Sequence, residues 1–439
     1  MQLFYGVPED IENWMSLVTR VRWNFPGLET QEKLDEHKAT VLRFMGKLQA
    51  ICVKEGNEIA GVMLFSRGHN MICCLAVSPD YRRRGVATIL MDEALRNLDR
   101  TKEISVSTFR ADDEKGPAPR ALYEKYGFVE DVLIEEMGYP NQKYILHPIG
   151  LKRGTVKLCE HEKAWEIEAQ NTIVRLRKIL GNVIKDIQHV GSTSISTIKA
   201  KPIIDIALAV DDFEDILAFE KELRDDGFYY RPNAQASLRN QLLFACGNYY
   251  DGSGDLQTHF IHVVLTGSME WINYINFRDY LGGTPTVAKA YEDLKVSLAE
   301  QAPIDGGREK YLKGKHDFIV YTLRKALVNS FLGKTVDISI DRPKGSIHPK
   351  HGDILYPVNY GYIPHVIGGD SEELDVYLLG VDTPVKEYTA RIIGIVHRRN
   401  DVEDKLVAAP EGMSFTAKEI TEAVRFQEQY YDSEVEVLL

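Results

Sequence analysis

The sequence predicts three compact units in series: an α/β unit, an α+β unit and a small, mostly-β unit. Three observations point there. The chain has 439 residues, against roughly 150 for an ordinary domain. Its pattern changes twice, at HPIGLKRG (His147 to Gly154) and at LGKT (Leu332 to Thr335). Charge shifts at the second seam: residues 333–439 hold 11 Lys/Arg and 19 Asp/Glu, so −8 of the chain's −12 falls in the last quarter. The units are expected at residues 1–148, 152–330 and 333–439.

The elements follow in order. Lys47 to Val53 and Ile59 to Phe65 read as strands joined by a turn at Glu55 to Asn57, and Met71 to Val77 as a third. Val86, Ile89, Leu90, Ala94 and Leu98 keep helical spacing and lay one apolar stripe on that sheet. In the second unit Ala169, Ile173, Leu176 and Leu180 mark one face of a long helix, which Gly181 stops. Ile187 to Gly191 and the apolar run Pro202 to Val210 read as strands, the latter carrying one embedded charge, Asp205. Tyr311 to Asn329 is helical. Strand patterns then dominate until a final helix opened by Thr416 and Glu419, a capping box.

Composition narrows the function classes. The 44% apolar and 27% charged residues suit several buried cores and exclude wholesale disorder. With 53 basic against 65 acidic residues, a nucleic-acid footprint is missing. Five cysteines (Cys52, Cys73, Cys74, Cys159, Cys246) form no CxxC pair, which argues against a disulfide framework or structural zinc and for a reducing cytoplasm. The amino terminus lacks a secretory pattern, and no stretch approaches the roughly 18 apolar residues of a membrane span.

Arg82 to Ala87 (RRRGVA) lies between a strand and the helix it feeds. A helix start leaves backbone N–H groups unpaired; Gly85 and the small Ala87 let a diphosphate approach them, and three arginines add charge. RALYEKYGF (Arg120 to Phe128) then ends a helix and places Tyr123 toward the sheet. Together these motifs, over about the first 145 residues, resemble the GNAT family of acyl-CoA N-acyltransferases. The resemblance implies an acetyl-CoA co-substrate, with Arg82, Arg83, Arg84, Gly85, Val86, Ala87 and Thr88 on the diphosphate. It implies the backbone of Leu75, Ala76 and Val77 on the pantetheine arm, and Tyr123 as the acid that protonates the departing thiolate. The strand Met71 to Val77 carries no acid to deprotonate an amine, so the base and the acceptor stay open.

In Ile187 to Val210 a Gly-Ser turn precedes Asp205 on a buried strand. Such a turn can wrap phosphates, and carboxylates on the next strand can hold magnesium. HVGSTS, AKPIIDI, THFIHVV (Thr258 to Val264) and FRDYL (Phe277 to Leu281) resemble the GrpB family of nucleotidyltransferase-like proteins, over about residues 152 to 325. That implies a nucleotide site at Gly191, Ser192 and Asp205. Two-metal transfer wants carboxylates at alternate strand positions, and here Ala207 follows Asp205. His259 and His262 point to opposite faces of a strand, which favours structural roles over a shared metal.

The last unit carries DRPKGS (Asp341 to Ser346), YPVNYGYIP (Tyr356 to Pro364), GDSEELD (Gly369 to Asp375) and RRNDVEDK (Arg398 to Lys405). Converging acids repel one another, and bound magnesium would reverse that penalty, activate a water and clamp a diphosphate. The blocks resemble soluble family I inorganic pyrophosphatases, a β-barrel fold. The resemblance implies magnesium at Asp341, Asp370, Glu372, Asp375 and Asp404, with Asp375 catalytic and Lys344, Tyr360, Lys405 and Tyr430 toward substrate. The stretch between Ser346 and Tyr356 is shortened, the loop before Asp404 is short, and Tyr431 stands where a lysine is expected.

The sequence therefore implies a fusion of an acetyl-CoA-dependent N-acetyltransferase with a magnesium-dependent phosphoanhydride hydrolase around a unit that binds a nucleotide. Its partners are small molecules: an amine acceptor and pyrophosphate or another phosphoanhydride. The alternative is a regulatory or scaffold protein with degenerate phosphate and metal sites. Oligomeric state stays open.

Overall fold

The structure is a computed structural model and describes residues 1–232, 240–302, 307–349, 352, 354–369 and 372–438. The chain opens with strand β1 (Gln2–Tyr5), helices α1 (Ile11–Val21) and α2 (Gln31–Met45), and antiparallel strands β2 (Ala50–Glu55), β3 (Glu58–Ser66) and β4 (Met71–Val77). Helix α3 (Val86–Asn97), β5 (Ile104–Phe109), α4 (Pro117–Lys125), β6 (Val129–Glu136) and β7 (Tyr139–Leu146) complete one sheet of order β1-β2-β3-β4-β5-β7-β6. Side chains alternate between its faces. Ile51, Val53, Met63 and Phe65 join one core with Leu90 and Ala94 of α3. Ala50, Cys52, Val62 and Leu64 join the other with Trp14, Leu17 and Val41 of the first two helices. The strand expected from Lys47 begins three residues later, because Gly46 caps α2 and Leu48 turns through φ 53° before the chain can extend.

The second unit starts with β8 (Leu151–Lys152) and α5 (Lys163–Leu180), whose Ala169, Ile173, Leu176 and Leu180 are buried as their spacing predicts. Next come β9 (Asp186–Val190), β10 (Ile204–Val210), α6 (Phe213–Leu217), α7 (Glu220–Asp225), β11 (Tyr229–Tyr230), β12 (Gln241–Cys246), α8 (Asn248–Asp251), β13 (Leu256–Gln257) and β14 (His259–Leu265). The sheet runs β11-β12-β14-β10-β9, with β10 and β14 parallel at its centre. Helices α9 (Met269–Gly283), α10 (Pro285–Glu300), α11 (Arg308–Gly314) and α12 (His316–Phe331) follow. The helical stretch expected from Tyr311 to Asn329 is thus two helices meeting at Lys315.

The last unit comprises β15 (Thr335–Arg342), β16 (Asn359–Ile367), β17 (Glu373–Leu378), β18 (Glu387–Arg398), β19 (Lys405–Ala409), α13 (Ala417–Glu428) and β20 (Ser433–Val437). The pairing β15–β18 closes five strands into a barrel, and β20 adds to the outside of β18. Thr416 and Glu419 cap α13 reciprocally, as their spacing predicts. Leu327 and Val328 of α12 are buried in the barrel's core beside Ile338 and Val376, and Met269 and Ile272 of α9 pack against it. Two helices ahead of the second seam thereby belong to the packing of the unit after it. Among the described residues no helix is long and apolar enough to cross a membrane.

Candidate functional sites

In the first unit, β4 and β5 pair in parallel only at Met71↔Ser105 and Ile72↔Val106. Beyond that point Leu75, Ala76 and Val77 stay bonded to β3 on one side, and β5 no longer covers the other. Register slips between Leu64 and Phe65 against Cys74 and Ile72, leaving Cys73 as a bulge, the local kink that lets one strand bend from its neighbour. Past this opening Gly85 caps α3 at φ 82°, in the left-handed region, and a Cβ there would meet nothing within 4 Å. Glycine is therefore required by the turn, and the helix mouth is open. Arg82, Arg83 and Arg84 are exposed around it. Val86 is buried against Gly61, while Ala87 and Thr88 are half-buried. Arg84 lies over Tyr81 at 5.3 Å, and no carboxylate sits in the first turn of α3.

Tyr123 is 5% exposed and packs on Phe128 and Tyr144. Burial, with Cys74 nearby, pushes its phenol well above the usual range, so it holds its proton at neutral pH. A carboxylate that the sequence reading missed reaches the splayed region from β6. Glu136 accepts a hydrogen bond from Ser107 at 3.1 Å, and its charge, after burial, helps raise the Cys73 thiol to about 11.

The middle unit holds a cavity of about 380 Å³ on the Gly-Ser turn. Gly191 takes φ 72°, and a Cβ there would lie 2.6 Å from Asp205 Oδ2, so both backbone and space demand glycine. Ser192 and Asp205 line the cavity. The place that a second carboxylate would occupy at Ala207 faces His262 in register across β14, and His262 Nε2 lies 3.2 Å from Asp205 Oδ1. The two histidines do point to opposite faces: His259 is buried between Thr172 and Thr258. His262, expected to be structural, instead faces the cavity. Lys201, Arg308 and Lys315 complete the lining. No sequence motif pointed to them as a group.

The barrel distributes its acids otherwise. Asp375 and Lys405 form an ion pair, and Lys405 also bonds Glu403. Asp341 bonds Arg342 at 2.8 Å; burial, opposed by Arg342 and supported by Asp375, raises its carboxyl above the usual range. Tyr360 is buried, and burial and Asp375 raise its phenol. Lys344 reaches Asp382 at 2.7 Å, away from the acids, and Tyr430 is 60% exposed. Asp404 is fully buried and turned toward α12, where it accepts from Arg324 at 2.8 Å and Lys325 at 2.7 Å, with His397 at 3.0 Å. Burial alone would raise its carboxyl, but these three partners hold it well below the usual range. Glu372 is exposed, and Asp370 lies outside the described residues. Among the described residues no three His, Cys, Asp or Glu side chains converge as a metal site would require. Among the described residues the acids expected to hold magnesium have cationic neighbours instead: Asp404 has Arg324 and Lys325 of α12, Asp375 has Lys405, and Asp341 has Arg342.

These three arrangements define a chain of fused modules. Residues 47–130 match the model of the acetyltransferase (GNAT) domain, residues 155–325 that of the GrpB protein, and residues 335–434 that of inorganic pyrophosphatase. A glutamate-rich protein GrpB of Alkalihalophilus pseudofirmus is 37% identical over 172 residues, 39% of this chain and 95% of that protein. The UPF0157 protein YqkA of Bacillus subtilis is 27% identical over 292 residues, 66% of this chain and 78% of that one. A crystal structure of the conserved protein GrpB from Enterococcus faecalis, 27% identical, covers 40% of this chain and 99% of its own, with a TM-score of 0.36. The chain belongs to the GrpB family, and it carries that unit between a GNAT domain and an inorganic pyrophosphatase domain.

Proposed function

We propose that this protein is an N-acetyltransferase that moves an acetyl group from acetyl-CoA to an amine. One observation carries the reading: β5 leaves β4 after Ile72 directly before the open, cation-rimmed mouth of α3. The diphosphate of coenzyme A lies on the backbone amides from Arg82 to Thr88, because a helix start presents unpaired N–H groups to an anion. The pantetheine arm runs along the uncovered edge of Leu75, Ala76 and Val77. The amine nitrogen attacks the thioester carbon, a C–N bond forms, and the C–S bond breaks. The sulfur takes the Tyr123 phenol proton, and the amine gives its proton to Glu136, either directly or through water. General acid catalysis of this kind contributes about 10²–10⁴-fold.

The test is thiol release from acetyl-CoA by the full chain against a panel of amines. Tyr123→Phe is expected to lower kcat about a hundredfold or more with little change in the KM for acetyl-CoA. Unchanged kcat in that variant, or a wild type that binds acetyl-CoA and releases thiol with no amine, would overturn the reading.

For the middle unit, the cavity at Gly191, Ser192 and Asp205 favours a nucleotide ligand. For the barrel, magnesium-dependent hydrolysis of a phosphoanhydride does not fit the described side chains, since Asp404 and Asp375 already have cationic partners. The scaffold reading suits that unit better. Release of phosphate from pyrophosphate by the full chain with magnesium, lost in Asp375→Ala, would reverse this.

A further inference from the structure

We propose that the middle-unit cavity grips a phosphoryl group between Lys201, Arg308 and Lys315, and so takes a phosphate-bearing small molecule as ligand. This deepens the nucleotide reading above and rests on its placement of a ligand at Gly191, Ser192 and Asp205. Lys201 precedes β10, whereas Arg308 and Lys315 bracket α11, so only the fold brings them to one cavity. Among the described residues no carboxylate lies within ion-pairing distance of either lysine or of Arg308. The two ammonium groups rest instead on the Tyr311 ring, at 5.2 and 4.6 Å from its centre. Arg308 donates to Gln257 at 3.2 Å and lies 5.8 Å over Phe260.

Like charges gathered in a partly buried space cost free energy unless something opposite joins them. Among the described residues the one carboxylate lining the cavity, Asp205, is already engaged by His262. Among the described lining residues three cations face one acid, a net charge near +2, which a phosphate monoester dianion balances and a single carboxylate does not. The volume suits a small ligand, and the Ser192 hydroxyl adds a donor at its wall.

The lysines' titration supports this geometry. Burial and then the Arg308 charge, partly offset by Asp205, draw Lys201 down to about 8. Burial and then Lys201, again offset by Asp205, bring Lys315 to about 8. Lys295 of α10, outside the cavity lining, is itself drawn to about 7 by burial and Lys315, and donates to the Lys199 carbonyl. An anion restores both cavity lysines to the charged form, so binding at pH 8 takes up protons, and affinity falls as pH rises above about 8.

The experiment is calorimetric titration of the full chain, in EDTA to silence metal-dependent sites, with inorganic pyrophosphate, AMP and ADP. Lys201→Met, Lys315→Met and the rim variant Arg308→Gln are each expected to weaken phosphate-ligand binding at least tenfold, while Lys178→Met on the exposed face of α5 leaves it unchanged. Proton uptake is read from the dependence of the heat on the buffer's ionisation enthalpy. Equal binding by all three cavity variants, binding of citrate or acetate as tight as that of pyrophosphate, or a wild type that binds none of the probes would overturn the proposal. Pyrophosphate held tenfold more weakly by the variants, with AMP and ADP no tighter than pyrophosphate, supports it while removing the nucleoside from the middle unit's reading.

Discussion

The middle cavity and the barrel use charge in opposite ways. Around the cavity, Lys201, Lys315 and Arg308 are held over aromatic rings with no carboxylate partner among the described residues. In the barrel, Asp404 has three cationic neighbours and Asp375 shares Lys405 with Glu403. A charge left without a partner is available to a ligand, whereas a buried charge that is fully paired belongs to the fold. Resemblance to a metal-dependent hydrolase therefore says less about the barrel than where its acids end up. The difference arises at α12, which begins beside the cavity at Lys315 and, two turns on, delivers Arg324 and Lys325 to the barrel.

The largest expected effect tests whether the barrel's acid is committed to the fold. Asp404→Asn leaves Arg324, Lys325 and His397 gathered without their shared anion, and is expected to cost about 3–5 kcal/mol in urea unfolding, the usual result of removing one partner from a buried ion pair. A cost under about 1 kcal/mol would break the comparison, because an acid that cheap to remove would be free for a metal. The pH dependence has two limbs. Asp404 titrates below its unfolded value, so its contribution is present above about pH 4 and lost as pH falls through the folded value. At His397 burial works against protonation, but the hydrogen bonds to Asp404 and Glu436 outweigh it and raise the ring. That contribution is complete below about pH 6.5 and lost as pH rises through the folded value. Stability from this cluster is expected to peak between those limits.

Local signals were legible and distant ones were not. The glycine at 85 and the arginines before it announce an open helix start rimmed by cations from a single stretch of sequence, and Gly191 with Asp205 announces the tight turn at the cavity. The departure of β5 from β4 leaves no trace in either strand's own pattern, because it depends on register between segments about thirty residues apart. Period-two reasoning placed His259 and His262 on opposite faces correctly, yet it could not show that one face opens on a cavity. Lys201 stands over a hundred residues from Lys315, and each alone looks like an ordinary surface lysine. The acids of the barrel were visible, but the cations that claim Asp404 lie on a helix before the seam, within what reads as a different unit. Glu136 lies on β6, three places from β4 in the sheet order, so nothing in the pattern of β4 points to it.

A smaller effect sharpens the other half of the comparison. If Lys201 is held charged for a ligand rather than for the fold, the empty protein should be better off without it. Its folded value near 8 lies below the unfolded one, so at pH 7 the charge opposes folding, and the opposition fades as pH rises from about 8 toward 10.4. Lys201→Met keeps most of the chain length over Tyr311 and removes the charge. It is expected to stabilise the ligand-free protein by about 1–2 kcal/mol at pH 7, with the gain gone by about pH 10, as read from thermal unfolding across that range. Pyrophosphate should reverse the ranking at pH 7 by stabilising wild type and not the variant. A variant less stable than wild type at pH 7 would make Lys201 a packing element of the fold, and the cavity and the barrel would then use their charges in the same way.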